Sequence, residues 1–214
     1  MVEEAFAGDG AEVARLAKEA ARALVHAEFG AAEAAAGALA VHPLSAQARL
    51  FATNMRVDLA YYQDRPLDAP QQLDALEEAF ARLPAAGTWP LYWYIAAEST
   101  LPLTSGRQMD MFYLHHLAGG LPRDDRRMRC LARGAENAVH YGFEPYLFLA
   151  GEAVSELPAT GESAFDRAVV EYLLETQRGP KKQERLAAER MERAAVSPLS
   201  KHHSRMLLSR YGGA

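Results

Sequence analysis

The chain is poor in the residues that several function classes require. It has a single cysteine, Cys130, in 214 residues, so no intramolecular disulfide can form. A lone thiol in a helical stretch fits a reducing, cytoplasmic compartment. Isoleucine occurs once, valine ten times and threonine six, too few strand formers to build a sheet. No apolar run approaches the roughly 20 residues that cross a bilayer, and the start, Met1-Val2-Glu3-Glu4, is acidic where a secretory leader is basic. Neither a membrane span nor secretion is expected. No Gly-x-Gly-x-x-Gly, phosphate loop or His-Glu-x-x-His is present, which sets aside nucleotide folds and zinc-peptidase chemistry.

What fills the chain instead is helix-forming. Alanine supplies about a fifth of it, with leucine, glutamate and arginine next, and the expected fold class is all-α. Nineteen arginines against four lysines, together with the alanine, point to a GC-rich bacterial genome. Val13, Leu16, Ala17, Ala20 and Leu24 recur at helical spacing between Glu12, Arg15, Lys18, Glu19 and Arg22, giving one buried stripe and one wet face, with Asp9 as N-cap. The same reading places helices near 30–41, 46–63, 69–83, 89–99, 106–118, 123–141, 145–156, 163–178, 181–196 and 199–211, eleven in all. Their boundaries rest on Asp68 before Ala69-Pro70, Thr88 before Trp89-Pro90, Gly119-Gly120-Leu121-Pro122, Gly142, Gly161-Glu162-Ser163 and Gly179-Pro180. Short connections predict antiparallel neighbours, so the chain should run as successive helical hairpins within one domain, 1–214.

Charge is uneven along this domain. Residues 1–100 hold 7 Lys/Arg against 14 Asp/Glu, and residues 180–214 hold 8 against 3. The net charge of −5 argues against non-specific nucleic-acid binding by the whole body. In the basic tail, Lys181, Lys182, Arg185, Arg190 and Arg193 alternate with Glu184, Glu189 and Glu192, as on a solvent-exposed helix. His202-His203, between Lys201 and Arg205, is expected on the same kind of surface.

Five prolines add a longer regularity. Pro43, Pro84, Pro122, Pro158 and Pro198 follow at intervals of 41, 38, 36 and 40 residues, each closing a pair of helices. Alanine stands five residues before Pro43, Pro84 and Pro158; Pro122 and Pro198 lack it. In this the sequence resembles the tetratricopeptide-like family of helical-hairpin repeats, whose units end in proline after a second helix with small residues at fixed positions. Ala31, Ala38, Leu39 and Pro43 carry the resemblance best. The family's first-helix tryptophan, Leu-Gly pair and tyrosine have no counterpart, and the spacing exceeds its usual length of about 34 residues. The resemblance implies hairpin units 1–43, 44–84, 85–122, 123–158 and 159–198 with a capping helix 199–214; a compact helical bundle is the alternative.

Chemistry has few places to sit. Aromatics concentrate between Trp89 and Phe148, and the helices near 89–99 and 106–118 read as apolar all round and hence central. Glu98, Asp110, His115 and His116 are the polar residues inside them, and Glu136 with His140 adds an i,i+4 pair. These six could supply carboxylate and imidazole ligands to iron or another divalent metal in a helical bundle. Against this, the helical di-iron pattern needs Glu-x-x-His from two helices, and Arg126, Arg129, Arg133, Glu136 and His140 also read as one solvated face of ion pairs. Cys130 reads as an inert core thiol, and Asp124-Asp125 as helix capping after Pro122.

The leading expectation is a non-catalytic module that binds a protein or peptide, without cofactor, along stacked hairpins. Asn54, Arg56, Tyr61 and Tyr62 are the expected contact residues, as exposed polar and aromatic groups in the acidic front half. The alternatives are a metal-dependent oxygenase or hydrolase with an aromatic pocket, and a regulatory domain that senses a small ligand there. Ala-rich helices can pack against a second copy as easily as within the chain, so a homo-oligomer is also possible.

Overall fold

In the computed structural model, residues 5–6, 8–42, 45–83, 87–102, 107–178 and 180–212 are described. Pro43, Pro84 and Gly179, three of the expected stop signals, lie outside them. Among the described residues there are eleven helices and no strand. They are α1 (Ala11–Val25), α2 (Phe29–Ala40), α3 (Ala46–Tyr62), α4 (Ala69–Ala81), α5 (Thr88–Thr100), α6 (Gln108–Gly119), α7 (Asp125–His140), α8 (Glu144–Ser155), α9 (Glu162–Arg178), α10 (Lys181–Ala194) and α11 (Pro198–Tyr211). No helix among the described residues is long and apolar enough to cross a membrane. The chain divides into two compact units, Met1–Pro102 and Leu103–Ala214, with the boundary inside the expected hairpin 85–122. Leu101, extended at φ −65° and ψ 146°, ends α5 because the ring of Pro102 disfavours helical backbone in the residue before it.

In the first unit α1, α3 and α5 form a row, with α2 set against α1 and α3, and α4 against α3 and α5. The centre of the row is aromatic. Trp93 of α5 stacks on Phe6, with ring centroids 5.2 Å apart, and meets Phe51 of α3 edge-on at 5.1 Å. Phe6 is fully buried, a core residue from the segment before the first helix that helical periodicity could not reveal. Trp93, Ile95, Ala96 and Ala97 are buried, as expected of the aromatic helix, whereas Leu91, Tyr92 and Tyr94 are only partly covered, because α5 stands at the end of this row.

The second unit repeats this order of contacts. Helices α7, α9 and α11 form a row, α8 lies against α7 and α9, α10 against α9 and α11, and α6 adds to α7 and α8. Helix α7 is buried without a break from Cys130 to Ala138, and its small residues let neighbours approach. At Gly134 the closest neighbour is the Tyr146 ring of α8. The expectation for the 106–118 helix fails. Helix α6 buries only Met111, Leu114 and Ala118, and leaves Met109 72% and Tyr113 58% exposed, because in this unit it lies outside the row and packs on α7 and α8 alone. Helix α10 is the expected wet helix, burying Ala187 and Met191 while Arg185 faces Glu189 at 3.7 Å and Arg190 faces Glu171 of α9 at 3.6 Å.

Helix ends follow local chemistry. Asp68 caps α4 by accepting from the Gln71 amide, and Asp124 caps α7 by accepting from the Arg126 amide. Two expected caps are displaced by one residue: Gly10, not Asp9, precedes α1, and Gly87, not Thr88, precedes α5, neither with a side-chain cap. After α7 the chain turns through Gly142 at φ 69°. Its amide bonds to Val139 and that of Phe143 to Ala138, the paired closure that needs left-handed backbone. The same closure follows α1 at Ala27, where φ is 57° without glycine's freedom.

Candidate functional site

Helix α3 carries the expected contact residues, and two of the four are not at the surface. Asn54 and Tyr62 are buried, Tyr61 is half-buried and Arg56 alone is exposed. The physical reason is position: α3 is the middle helix of its row and touches α1, α2, α4 and α5, so only a narrow strip of it meets solvent. Tyr62 stacks on Phe29 at the start of α2, with centroids 6.4 Å apart, which makes it a packing residue.

The solvent strip of α3 is cationic. Arg49 and Arg56 lie seven residues apart, two helical turns, and therefore on one face. Thr53 stands between them, its hydroxyl donating to the Arg49 carbonyl at 3.0 Å. Helix α4 brings Arg82, its C-cap residue, to the same place, and Ala40, Ala75 and Ala79 leave space between the helices. The result is a cleft of about 160 Å³ whose described lining residues include three arginines and one acid, Glu78. Glu78 accepts a hydrogen bond from Arg82. The side chains of Arg49 and Arg56 have no hydrogen bond or ion pair to any described residue.

The six candidate metal ligands are dispersed. Glu98 is buried on α5 in the first unit, and the other five belong to the second. Asp110 sits 3.6 Å from Arg107, an ordinary pair on the first turn of α6. His115 is half-buried edge-on to Tyr146 at 5.9 Å; burial and the nearby Arg127 charge push its pKa down. His116 is exposed, and so is His140, whose ring meets Tyr141 at the end of α7. Among the described residues no three His, Cys, Asp or Glu side chains gather into a group that could hold a metal.

Glu136 has a different partner, which sequence reasoning missed. His203 Nε2 of α11 lies 2.8 Å from Glu136 Oε2, and both side chains are buried, 3% and 5% exposed. Arg133, one turn earlier on α7, places Nη1 3.8 Å from Glu136 Oε1, itself buried. A second pair ties α7 to α9: Arg129 Nε donates to Asp166 Oδ2 at 2.7 Å, with Asp166 buried. The expected solvated face of α7 is thus interior at Arg133 and Glu136, because α6, α8 and α9 all pack on this helix. The expected surface pair His202-His203 is likewise corrected at His203. The missed signal is a stripe: Leu199, His203 and Leu207 recur at i, i+4 and i+8, all buried.

The chemistry of this interior cluster is that of a fixed imidazole. Burial, then the charges of Arg133, Arg129 and Arg210, hold His203 well below its ordinary pKa and favour the neutral ring, whose Nε2 shares a hydrogen bond with the Glu136 carboxyl group. Around it the Tyr172 hydroxyl has no hydrogen-bond partner and burial pushes its pKa up to about 12; Tyr211 is raised to about 12 by burial and by the Glu136 charge. A carboxylate-oriented imidazole can act as a general base only where substrate reaches it. Here both partners are sealed among α7, α9 and α11, and the pair joins two helices.

Comparison of the chain with family models, with curated proteins and with solved structures gives no match.

Proposed function

We propose that this chain is a non-catalytic module that binds a protein or peptide along a row of helices. The observation that carries the reading is the order of helix contacts. In each unit the most extensive contacts join helices one or two places apart in sequence, and alternate helices line up, with the Glu136–His203 bond between α7 and α11 reaching further. Helical-hairpin repeats, whose stacked units extend a surface, would give such an order of contacts. The sealed Glu136–His203 pair fits a structural use of the one oriented imidazole described above. Surface groups available for contact include those of the α3 strip, with Arg56 in the open, and Met109 and Tyr113 of α6.

The test is capture of the partner by the full chain carrying a photoreactive amino acid at Arg56 in one preparation and at Tyr113 in another. One protein crosslinked in stoichiometric amount, with the attached peptide mapped to either position, is the expected result. A chain recovered without any crosslinked protein from both preparations would overturn the reading.

A further inference from the structure

The arginine cleft between α3 and α4 has more positive charge than its own packing uses. We propose that Arg49, Arg56 and Arg82 form a binding site for an oxyanion, a carboxylate or phosphate group, displayed by the partner of this module; the identity of the ligand's carrier rests on the binding-module reading above.

Charge distribution is the first argument. The first hundred residues contain 14 carboxylates and only 7 cations, so an arginine placed there at random would find an acid. Arg15 does, between Glu12 at 2.9 Å and Glu19 at 2.8 Å, and Arg65 does, at 3.1 Å from Glu33. Three of the seven cations nevertheless share one cleft whose only lining acid is Glu78, already bonded to Arg82. Two guanidinium charges are left over. The C-terminal end of α2 at Ala40 contributes partial negative charge of about half a unit, too little to neutralise them.

Geometry is the second argument. Guanidinium groups are planar forks that match carboxylate and phosphate oxygens two at a time, and they lose less hydration than ammonium groups when they do so. Arg49 and Arg56 approach from two turns of one helix, and Arg82 from the end of another, so the three residues line a common space. That space, about 160 Å³, has room for an anionic group between the two helices. Alanines 40, 75 and 79 keep it open.

The test needs no knowledge of the partner. Inorganic phosphate, O-phosphoserine and N-acetylaspartate are titrated at constant ionic strength into the full-length chain, with backbone amide and arginine Nε–H resonances followed by NMR. Saturable shifts centred on Arg49 and Arg56 are expected. Arg49→Gln with Arg56→Gln should weaken binding by about tenfold or more, whereas Arg15→Gln should leave it within about twofold. The single Arg56→Gln variant, at an exposed position, gives the same direction of change should the double variant lose structure. Tighter binding of phosphoserine identifies a phosphorylated partner, and tighter binding of N-acetylaspartate an acidic one. Shifts that rise linearly and equally at Arg15 and Arg65 overturn the site while leaving the module reading standing. A captured partner held equally well by the doubly substituted chain would also overturn the site's assignment to that partner, whereas anion binding with no captured partner would count against the module alone.

Discussion

His203 on α11 and Glu136 on α7, 67 residues apart in sequence, meet at 2.8 Å inside the second unit. A hydrogen bond to a charged group contributes about 1.5–3 kcal/mol net, and removing one partner of a buried pair leaves the other uncompensated. His203→Ala is therefore expected to destabilise the chain by about 3–5 kcal/mol, and His203→Gln, whose amide can still donate to Glu136, by less. Urea unfolding of the two variants beside the parent checks the order.

The same histidine sets a pH dependence. Its folded pKa is depressed by burial and by Arg133, Arg129 and Arg210, while in the unfolded chain it returns to about 6.5. Below that pH the unfolded chain binds a proton that the folded chain refuses. Stability is thus full above about pH 6.5 and falls on acidification toward the folded pKa, by at most about 1.4 kcal/mol per pH unit for one histidine. His115, lowered by burial and Arg127, acts in the same direction. The loss between about pH 7.5 and 5.5 should be smaller in His203→Gln than in the parent; equal losses would show that His203 does not carry it.

Two glycines should respond unequally to a methyl group. A Cβ on Gly134 would stand 2.7 Å from Cζ of the buried Tyr146 ring, whereas on Gly151 its one close approach would be to Cδ1 of Leu174 at 2.7 Å, the far end of a flexible side chain. Gly134→Ala is expected to lower stability by about 1–3 kcal/mol through overpacking. Gly151→Ala should fall well short of that, since helix propensity also favours alanine by roughly 1 kcal/mol. Thermal unfolding of both variants separates the cases.

Trp93→Ala should cost about 3–5 kcal/mol, because the indole leaves a cavity among Phe6, Phe51 and Trp89 that those rings fill only in part. Thr88→Ala should cost little, since Thr88 is inside α5 and makes no cap, while Asp68→Ala should cost about 1 kcal/mol. Denaturant titration of the three variants measures the ranking; a Trp93→Ala chain as stable as the parent would show that the row of α1, α3 and α5 is not the core.

Ala27 offers a gain. Its φ of 57° places a Cβ where left-handed backbone crowds it, at a cost of roughly 1–2 kcal/mol. Ala27→Gly should raise stability by about 0.5–1 kcal/mol, read as an increase in the urea midpoint with unchanged slope.

Legibility in the sequence followed the physics of each signal. Helix existence was readable because apolar residues repeat at helical spacing over several turns, and Asp68 and Asp124 were readable as caps because proline or a polar cluster isolates them. Asp9 and Thr88 missed by one residue, since a glycine beside each competes for the same position. Burial was less readable. Helix α6 is apolar all round yet leaves Tyr113 in solvent, and α3 carries Asn54 into the interior, because the number of neighbours a helix has is set by its place in the row and not by its own pattern. Arg49 and Arg82 could not have been joined from the sequence: 33 residues separate them, and only the packing of α4 on α3 brings them together.

The order of helix contacts also bears on how the chain acquires its structure. Most contacts join helices close in sequence, so most of the loops to be closed are short and their entropic cost is small. Chains dominated by such local contacts fold in microseconds to milliseconds, by contrast with the slower assembly of sheets. During synthesis, α1 and α2 can pair before α3 has been made, and each later helix finds its partners already in place. Only a few links span further, and the bond from Gln47 to the Ala5 carbonyl is among them: it fastens the start of the chain after the helices that follow have already assembled.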